Sequence, residues 1–198
     1  MKNVYACLQP GWADWEAAYV LSGLRRHFGR NVQVATPDGG PVQSIGGLTV
    51  KADLRFADIC ASNGEFLILI DSDAWTTVAT EPIAEVLRAS YAANAVIARI
   101  CAATIAIARA GLLVNRAHTS NNRSFLAEYA PGYAGSDCYV DSQISVVDGS
   151  IVTAPGLAPL SFARDVFKLA NPNKPDDADR YFEAYSREVH MTQGRQWG

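Results

Sequence analysis

The chain has 198 residues, 49% of them hydrophobic, and its 17 basic and 20 acidic side chains give a net charge of −3. This length supports one sizeable core, so we expect a single domain over residues 1–190 followed by a mobile tail at 191–198. The sequence has no basic stripe and no interleaving of basic and aromatic residues, which excludes nucleic acid as an expected partner.

The sequence also lacks the patterns of membrane and secreted proteins. Gln9 and Pro10 interrupt the N-terminus before a signal-peptide core could form. Arg99 and Arg109 interrupt the most apolar stretch, whereas a spanning helix needs roughly 20 apolar residues. The four cysteines have no CxxC or metal-ligand spacing, which indicates reduced thiols. We therefore expect a cytoplasmic protein without membrane partners, metal ions or cofactors.

The first half of the chain alternates between strand and helix patterns. Strands are predicted at 2–8, 31–35 and 66–70, and helices at 15–28 and 81–93. The strand at 66–70, FLILI, is apolar throughout, as in a strand covered on both faces, and Asp14 is expected to cap the first helix. This order is typical of an open, mostly parallel sheet with helices on both faces.

Glycine pairs in TPDGGPVQSIGGL separate the second strand from the third. They match neither GxGxxG nor a phosphate-binding P-loop, and no helix pattern follows them. We interpret them as turns around a short hairpin.

The run NAVIARICAATIAIARAGLL, residues 94–113, is the most informative segment. Residues 94–100 are apolar and β-branched like an interior strand, whereas residues 102–110 are strong helix formers that end at Gly111. Cys101 is thereby placed at a sharp strand-to-helix turn, the geometry of a nucleophile elbow. The free amides and positive dipole end of the next helix favour a thiolate, so Cys101 is the predicted nucleophile.

Two polar residues could assist this thiol. Glu16 shares a helix face with Val20, Leu24 and Phe28, where a carboxylate is costly to desolvate. We expect Glu16 to have a raised pKa and a role beside the thiol; alternatively, it complements the helix dipole at the edge of the core.

His118 lies near a predicted sheet end and is the candidate base, although a lone histidine is more often structural. The remaining thiols are interpreted as inert: Cys7, Cys60 and Cys138.

The pattern after residue 116 changes to short β segments. These are predicted at 138–140, 144–147 and 151–153, with Asp148-Gly149 as a hairpin turn. A helix at 160–170 follows, and a polar terminal helix comes after Asn171-Pro172.

Several segments together resemble the ThiJ/PfpI family, which has the class I glutamine amidotransferase-like fold. They are ICAAT with IAIARAGLL, TPDGGPVQSIGGLTVKAD, Glu16, HTSN and DGSIVTAPGLAPLSFARDVFKLA, and they cover nearly the whole chain. The resemblance implies a flavodoxin-like sheet, a homodimer, Cys101 as nucleophile and Glu16 as its partner carboxylate. Some relatives have a histidine where an ungapped match puts Asn121, and His118 lies three residues earlier.

Two departures from the family pattern lie near the elbow. Many relatives end the strand that matches FLILI with Pro-Gly-Gly, whose amides form an oxyanion hole with the amide after the cysteine. This chain has Ile70, Asp71 and Ser72 there, and an ionised Asp71 would oppose a thiolate. Arg99 replaces a small apolar residue. It is expected either to pair with Asp71 and change or suppress catalysis, or to be a solvated side chain at the sheet end.

Two function classes follow. One is a cysteine-dependent hydrolase of protease or amidase type, or a glyoxalase- or deglycase-type enzyme, acting on a small molecule or peptide. The other is a non-catalytic, redox-responsive protein in which Glu16 stabilises an oxidised Cys101 sulfinate. The enzyme would use the side chains of Cys101, Glu16, His118 and Asn121, and the backbone amides of Ala102 and of Asp71 or Ser72.

Overall fold

Strands and helices alternate along residues 3–77 and 81–192, the part of the chain that our computed structural model describes. The strands are β1 (Asn3–Cys7), β2 (Asn31–Thr36), β3 (Val42–Gln43), β4 (Thr49–Val50), β5 (Leu54–Arg55), β6 (Gly64–Leu69), β7 (Val96–Ile100), β8 (Val146–Asp148) and β9 (Ile151–Ala154). The helices are α1 (Asp14–Arg26), α2 (Ala74–Thr77), α3 (Glu81–Ala92), α4 (Thr104–Arg109), α5 (Arg123–Tyr129), α6 (Pro159–Ala170) and α7 (Pro175–Thr192). The predicted tail lies outside the described residues from position 193 onward.

Seven strands form one sheet in the order β5-β2-β1-β6-β7-β9-β8. All neighbours in this sheet are parallel except β8, which pairs antiparallel with β9 through the predicted turn at Asp148-Gly149. The predicted open, mostly parallel sheet is confirmed. Because β1, β6, β7 and β9 run in the same direction, the loops after them meet at one edge, where ligand sites of such sheets form.

Both faces of the sheet are buried. Leu67 and Leu69 of β6 belong to one apolar cluster, with residues of α3 and α4, while Phe66 and Ile68 belong to another, with residues of α1 and α6. Neighbouring residues of a strand point to opposite faces, so a strand covered on both sides is apolar throughout. This arrangement explains the run FLILI.

The local structure differs from the predictions at two places. Asp14 does not cap α1; it is the first residue of that helix, and its carboxylate accepts a hydrogen bond from the Gly46 amide at 2.8 Å. Asp14 therefore joins α1 to the turn of the predicted hairpin, which β3 and β4 form. The predicted strand at 138–140 is instead the end of a 3-10 turn and a single bridge between Tyr139 and His118.

Arg99 is neither paired with Asp71 nor solvated, so both predictions for it are wrong. Its guanidinium is completely buried, and Nη1 donates hydrogen bonds to the carbonyls of Leu67 at 2.9 Å and Ala98 at 2.5 Å. Burial lowers its pKa to about 9. The predicted pair with Asp71 assumed that the side chains of Arg99 and Cys101 point to the same side of the strand. The strand ends at Ile100, however, so its alternation does not extend to Cys101.

Among the helices in the described part of the chain, none has the length and apolar character to cross a membrane.

Candidate active site

Cys101 lies at the strand-to-helix elbow, as predicted. β7 ends at Ile100, and Cys101 has a φ of 58°, in the left-handed region that residues other than glycine seldom adopt. Helical structure begins with a 3-10 turn at Cys101–Ala103, and α4 starts only at Thr104. The Thr104 hydroxyl donates to the Cys101 carbonyl at 2.7 Å, which supports the sharp turn.

Asn121, rather than His118, contacts the thiol. Asn121 Nδ2 donates to Cys101 Sγ at 3.1 Å, and its Oδ1 accepts from the Gly156 amide at 3.1 Å. His118 is buried elsewhere, with Nδ1 2.7 Å from the Arg116 carbonyl and Nε2 bonded to the Tyr133 hydroxyl. The structure therefore does not bring the predicted base to the nucleophile.

Gly156 is a site residue that the sequence analysis missed. A Cβ atom at this position would lie 2.8 Å from Cys101 Sγ and 3.1 Å from Glu16 Oε1, so only glycine allows the backbone this close. Its carbonyl accepts a hydrogen bond from Trp15 Nε1 at 3.2 Å. The available signal was the glycine in TAPGL, directly after a strand that ends at the same sheet edge as the elbow.

Glu16 is completely buried beside the thiol. One of its carboxylate oxygens, the Cys101 sulfur and an Asp71 carboxylate oxygen all lie within 4.8 Å of one another. Glu16 Oε2 accepts a hydrogen bond from the Asp71 amide at 2.9 Å. Burial first, and then the charge of Asp71, raise the pKa of Glu16 to about 8, as its position on the apolar helix face predicts.

The carboxylate of Asp71 accepts the hydrogen bond of the Ala102 amide, which was predicted to stabilise an oxyanion. Asp71 Oδ1 accepts from the Ala102 amide at 2.9 Å, and the Ser72 amide also interacts with this carboxylate. The Asp71 amide is bound to Glu16. The amides of Ala102 and Asp71, two of the donors predicted for the oxyanion hole, are therefore engaged by carboxylates of the protein.

The surroundings of Cys101 oppose the thiolate that its place at the elbow predicts. Burial, followed by the charges of Glu16 and Asp71, raises the pKa of Cys101 above its ordinary value, although the hydrogen bond from Asn121 lowers it in part. The α-helix after the elbow, α4, has only six residues and starts at Thr104. The amide of the next residue, Ala102, already binds Asp71.

A cavity of about 380 Å³ opens onto the thiol. Its lining residues are Trp15, Glu16, Cys101, Asn121, Ser142, Gln143, Pro155, Gly156 and Leu157. Two of the lining residues are exposed apolar side chains, Leu157 (94% exposed) and Trp15 (45% exposed). A larger cavity of about 760 Å³ lies between the end of α1 and α7, but no cysteine lines it.

Three potential metal ligands meet at the thiol: Glu16, Asp71 and Cys101. They form the one such group found in residues 3–77 and 81–192. Both carboxylates already accept hydrogen bonds from backbone amides.

A parallel α/β sheet with a cysteine at the elbow and a buried glutamate beside it defines a class of thiol-containing flavodoxin-like proteins. Residues 2–169 match the DJ-1/PfpI family, and the chain belongs to this family. A DJ-1 superfamily protein from Agrobacterium tumefaciens has the same fold, with a TM-score of 0.88 and 31% identity, covering 96% of this chain and 100% of its own.

Two proteins from Bacillus subtilis strain 168 are also similar along most of their length. The uncharacterized protease YoaZ is 29% identical over 189 residues, which cover 92% of this chain and 90% of YoaZ. The uncharacterized protease YdeA is 28% identical over 180 residues, which cover 91% of this chain and 89% of YdeA.

Proposed function

We propose that the protein is a Cys101-dependent enzyme of the glyoxalase or deglycase type that acts on small, reactive carbonyl compounds. The observation that carries the proposal is the buried Glu16 carboxyl within 4.8 Å of the thiol. A carboxyl with a pKa of about 8 can accept and return a proton near neutral pH. The cavity of about 380 Å³ suits a small molecule.

The reaction of a 2-oxoaldehyde begins with addition of the thiol. Cys101 Sγ attacks the aldehyde carbon, an S–C bond forms, and the C=O double bond becomes a single bond to oxygen. Ionised Glu16 accepts the thiol proton and passes it to that oxygen, which gives a neutral hemithioacetal. Asn121, bonded to both the sulfur and the Gly156 amide, positions the thiol during attack.

The hemithioacetal then isomerises and is hydrolysed. Glu16 moves the proton from the former aldehyde carbon to the neighbouring carbon through an enediol, while the hydroxyl proton passes from one oxygen to the other. The product is a thioester of a 2-hydroxy acid, which water hydrolyses to the free acid and the Cys101 thiol. The net reaction adds one water and uses no external oxidant or reductant.

The geometry favours carbonyl chemistry over peptide hydrolysis. A cysteine hydrolase commonly relies on a histidine that takes the thiol proton and later protonates the leaving group. His118 is bonded to Arg116 and Tyr133 instead. The two Bacillus relatives are named uncharacterized proteases, which supports an enzyme without identifying its substrate.

Formation of lactate from methylglyoxal tests the proposal. The assay is run with EDTA on the wild type, Cys101→Ser and Glu16→Gln, with Cys60→Ser as the control because Cys60 is exposed and outside the cavity. We expect lactate from the wild type and the control, none from Cys101→Ser, and a loss of about 10²–10⁴-fold in Glu16→Gln, the usual contribution of a general acid–base residue. Absence of lactate from the folded wild type, or undiminished activity of folded Cys101→Ser, would contradict it.

A further inference from the structure

A side chain of the protein occupies the oxyanion position of the elbow. In elbow enzymes the amide of the residue after the nucleophile donates to the oxygen that becomes charged when an acyl carbon is attacked. Here that amide belongs to Ala102, and it donates to Asp71 Oδ1 at 2.9 Å. An incoming acyl oxygen must displace this carboxylate or do without the donor.

Asp71 is held in this position by its own backbone. Its amide donates to Glu16 Oε2 at 2.9 Å, and its carbonyl accepts from the Ala13 amide at 3.1 Å. The next residue is also fixed, since the Ser72 hydroxyl donates to the Pro10 carbonyl at 2.5 Å. The loop is therefore tied at two points to the segment between β1 and α1, and the carboxylate is directed at the elbow.

This arrangement affects two kinds of electrophile differently. Attack on an ester or amide produces an oxyanion, which here would meet a carboxylate in place of a hydrogen-bond donor. Addition to an aldehyde produces an alkoxide that Glu16 protonates within the same step. A thioester carbonyl is more electrophilic than that of an amide or alkyl ester, so hydrolysis of the proposed intermediate depends less on the donor.

We infer that Asp71 is a specificity-determining residue. Its carboxylate accepts the hydrogen bond of the Ala102 backbone N–H, and it thereby excludes acyl-transfer substrates, which are esters and amides. The inference rests on the proposed role of Cys101 as nucleophile. It assigns to Asp71 the selection of aldehydes and ketoaldehydes over acyl compounds, rather than a part in the bond-making step.

The test compares acylation of Cys101 with its alkylation. p-Nitrophenyl acetate reports attack on an acyl carbon, through the burst of nitrophenolate, whereas iodoacetamide reacts without forming an oxyanion. The ratio of the two rates thus cancels any general change in thiol reactivity. All variants carry Cys60→Ser, which removes the exposed thiol.

Two substitutions separate the effect of the hydrogen bond at the Ala102 amide from the effect of the Asp71 charge. Asp71→Ala frees the Ala102 amide, and we expect the acylation-to-alkylation ratio to rise by at least about tenfold, since one oxyanion donor contributes about 10²–10³-fold in rate. Asp71→Asn keeps an oxygen that accepts from Ala102 while removing the charge, and we expect a ratio within about threefold of the parent.

Either of two results would overturn the inference: an unchanged ratio in folded Asp71→Ala, or an equal rise in Asp71→Asn and Asp71→Ala. Lactate formation from methylglyoxal is measured on the same samples. A raised ratio without lactate would contradict the proposed function alone, whereas lactate with an unchanged ratio would contradict only the role of Asp71.

Discussion

The chemistry of Cys101 depends on how closely the surrounding backbone approaches its sulfur. Gly156 allows this approach, and a methyl group there would lie 2.8 Å from Sγ. We expect folded Gly156→Ala to form no lactate, because the added methyl group must push the sulfur and Glu16 away from the backbone. Gly64→Ala is the matched control, since its added Cβ meets nothing nearer than 3.3 Å. Full activity in Gly156→Ala would show that the contact is not needed.

The order in which Cys60 and Cys101 react distinguishes the proposed enzyme from an oxidation sensor. Cys60 is exposed, and a hydrogen bond with Ser62 lowers its pKa, whereas burial raises the pKa of Cys101. We expect iodoacetamide and dilute peroxide to modify Cys60 first at pH 7, because the thiolate is the reactive form. Peptide mapping by mass spectrometry measures the order. Selective, capped oxidation of Cys101 would instead support the redox-responsive alternative, which stays a prediction.

At this scale, the sequence predicts what depends on neighbours along the chain. The turn at Cys101 and the raised pKa of Glu16 follow from a local pattern, strand into helix and a carboxylate on an apolar face. The contact between Asp71 and Ala102 joins residues that lie 31 positions apart, and its geometry depends on how β6 and β7 align. The choice of Asn121 over His118 depends on side-chain directions in a loop without regular periodicity.

Packing between α1 and α6 stabilises the helix that presents Glu16. A Cβ on Gly23 would lie 2.2 Å from the ring of Phe167, which is fully buried in an apolar cluster. We expect Gly23→Ala to destabilise the protein by about 1–3 kcal/mol, the usual effect of overpacking, despite the better helix propensity of alanine. Urea unfolding of Ser22→Ala, an exposed neighbour on the same helix, provides the comparison. Equal stability of the two variants would contradict this packing.

Element boundaries could be predicted where apolar periodicity is strong. β6 and α6 lie close to their predicted positions because both are buried in continuous apolar clusters. The segment 138–140 has strand-forming residues but no partner strand of useful length, so it remains a turn with one bridge. Arg99 is the opposite case: a charged residue suggests a sheet end, yet carbonyl groups inside the sheet satisfy part of its guanidinium.

We predict a homodimer through an apolar patch made of exposed side chains at the cavity and on the hairpin turn that is joined to α1. The patch consists of Trp15, Ile45, Leu48 and Leu157, each at least 45% exposed. The hairpin turn that carries Ile45 and Leu48 is joined to the start of α1, since the Ile45 amide donates to the Trp12 carbonyl at 2.9 Å. Patches of this kind mark interaction surfaces, and we predict that a second copy of the chain covers this one.

Light scattering after size-exclusion chromatography measures this association. We expect a dimer for the wild type and a monomer for Ile45→Glu combined with Leu48→Glu. Val114→Glu changes an exposed valine in the segment after α4 and should leave the dimer intact. A monomeric wild type, or dissociation by the control alone, would contradict a dimer through the patch.

The pH dependence of lactate formation measures whether a proton passes between Glu16 and Cys101. Asp71 and Cys101 are the ionisable groups that face Glu16. Burial and the charge of Asp71 raise the pKa of Glu16 to about 8, although a hydrogen bond with Cys101 lowers it in part. The ionised form is the base, so the wild-type rate should rise by about tenfold per pH unit below 8 and level off above it. Glu16→Gln should lack this rise, since glutamine does not titrate. The same rise in Glu16→Gln, or a wild-type rate that falls through pH 8, would contradict the role of Glu16.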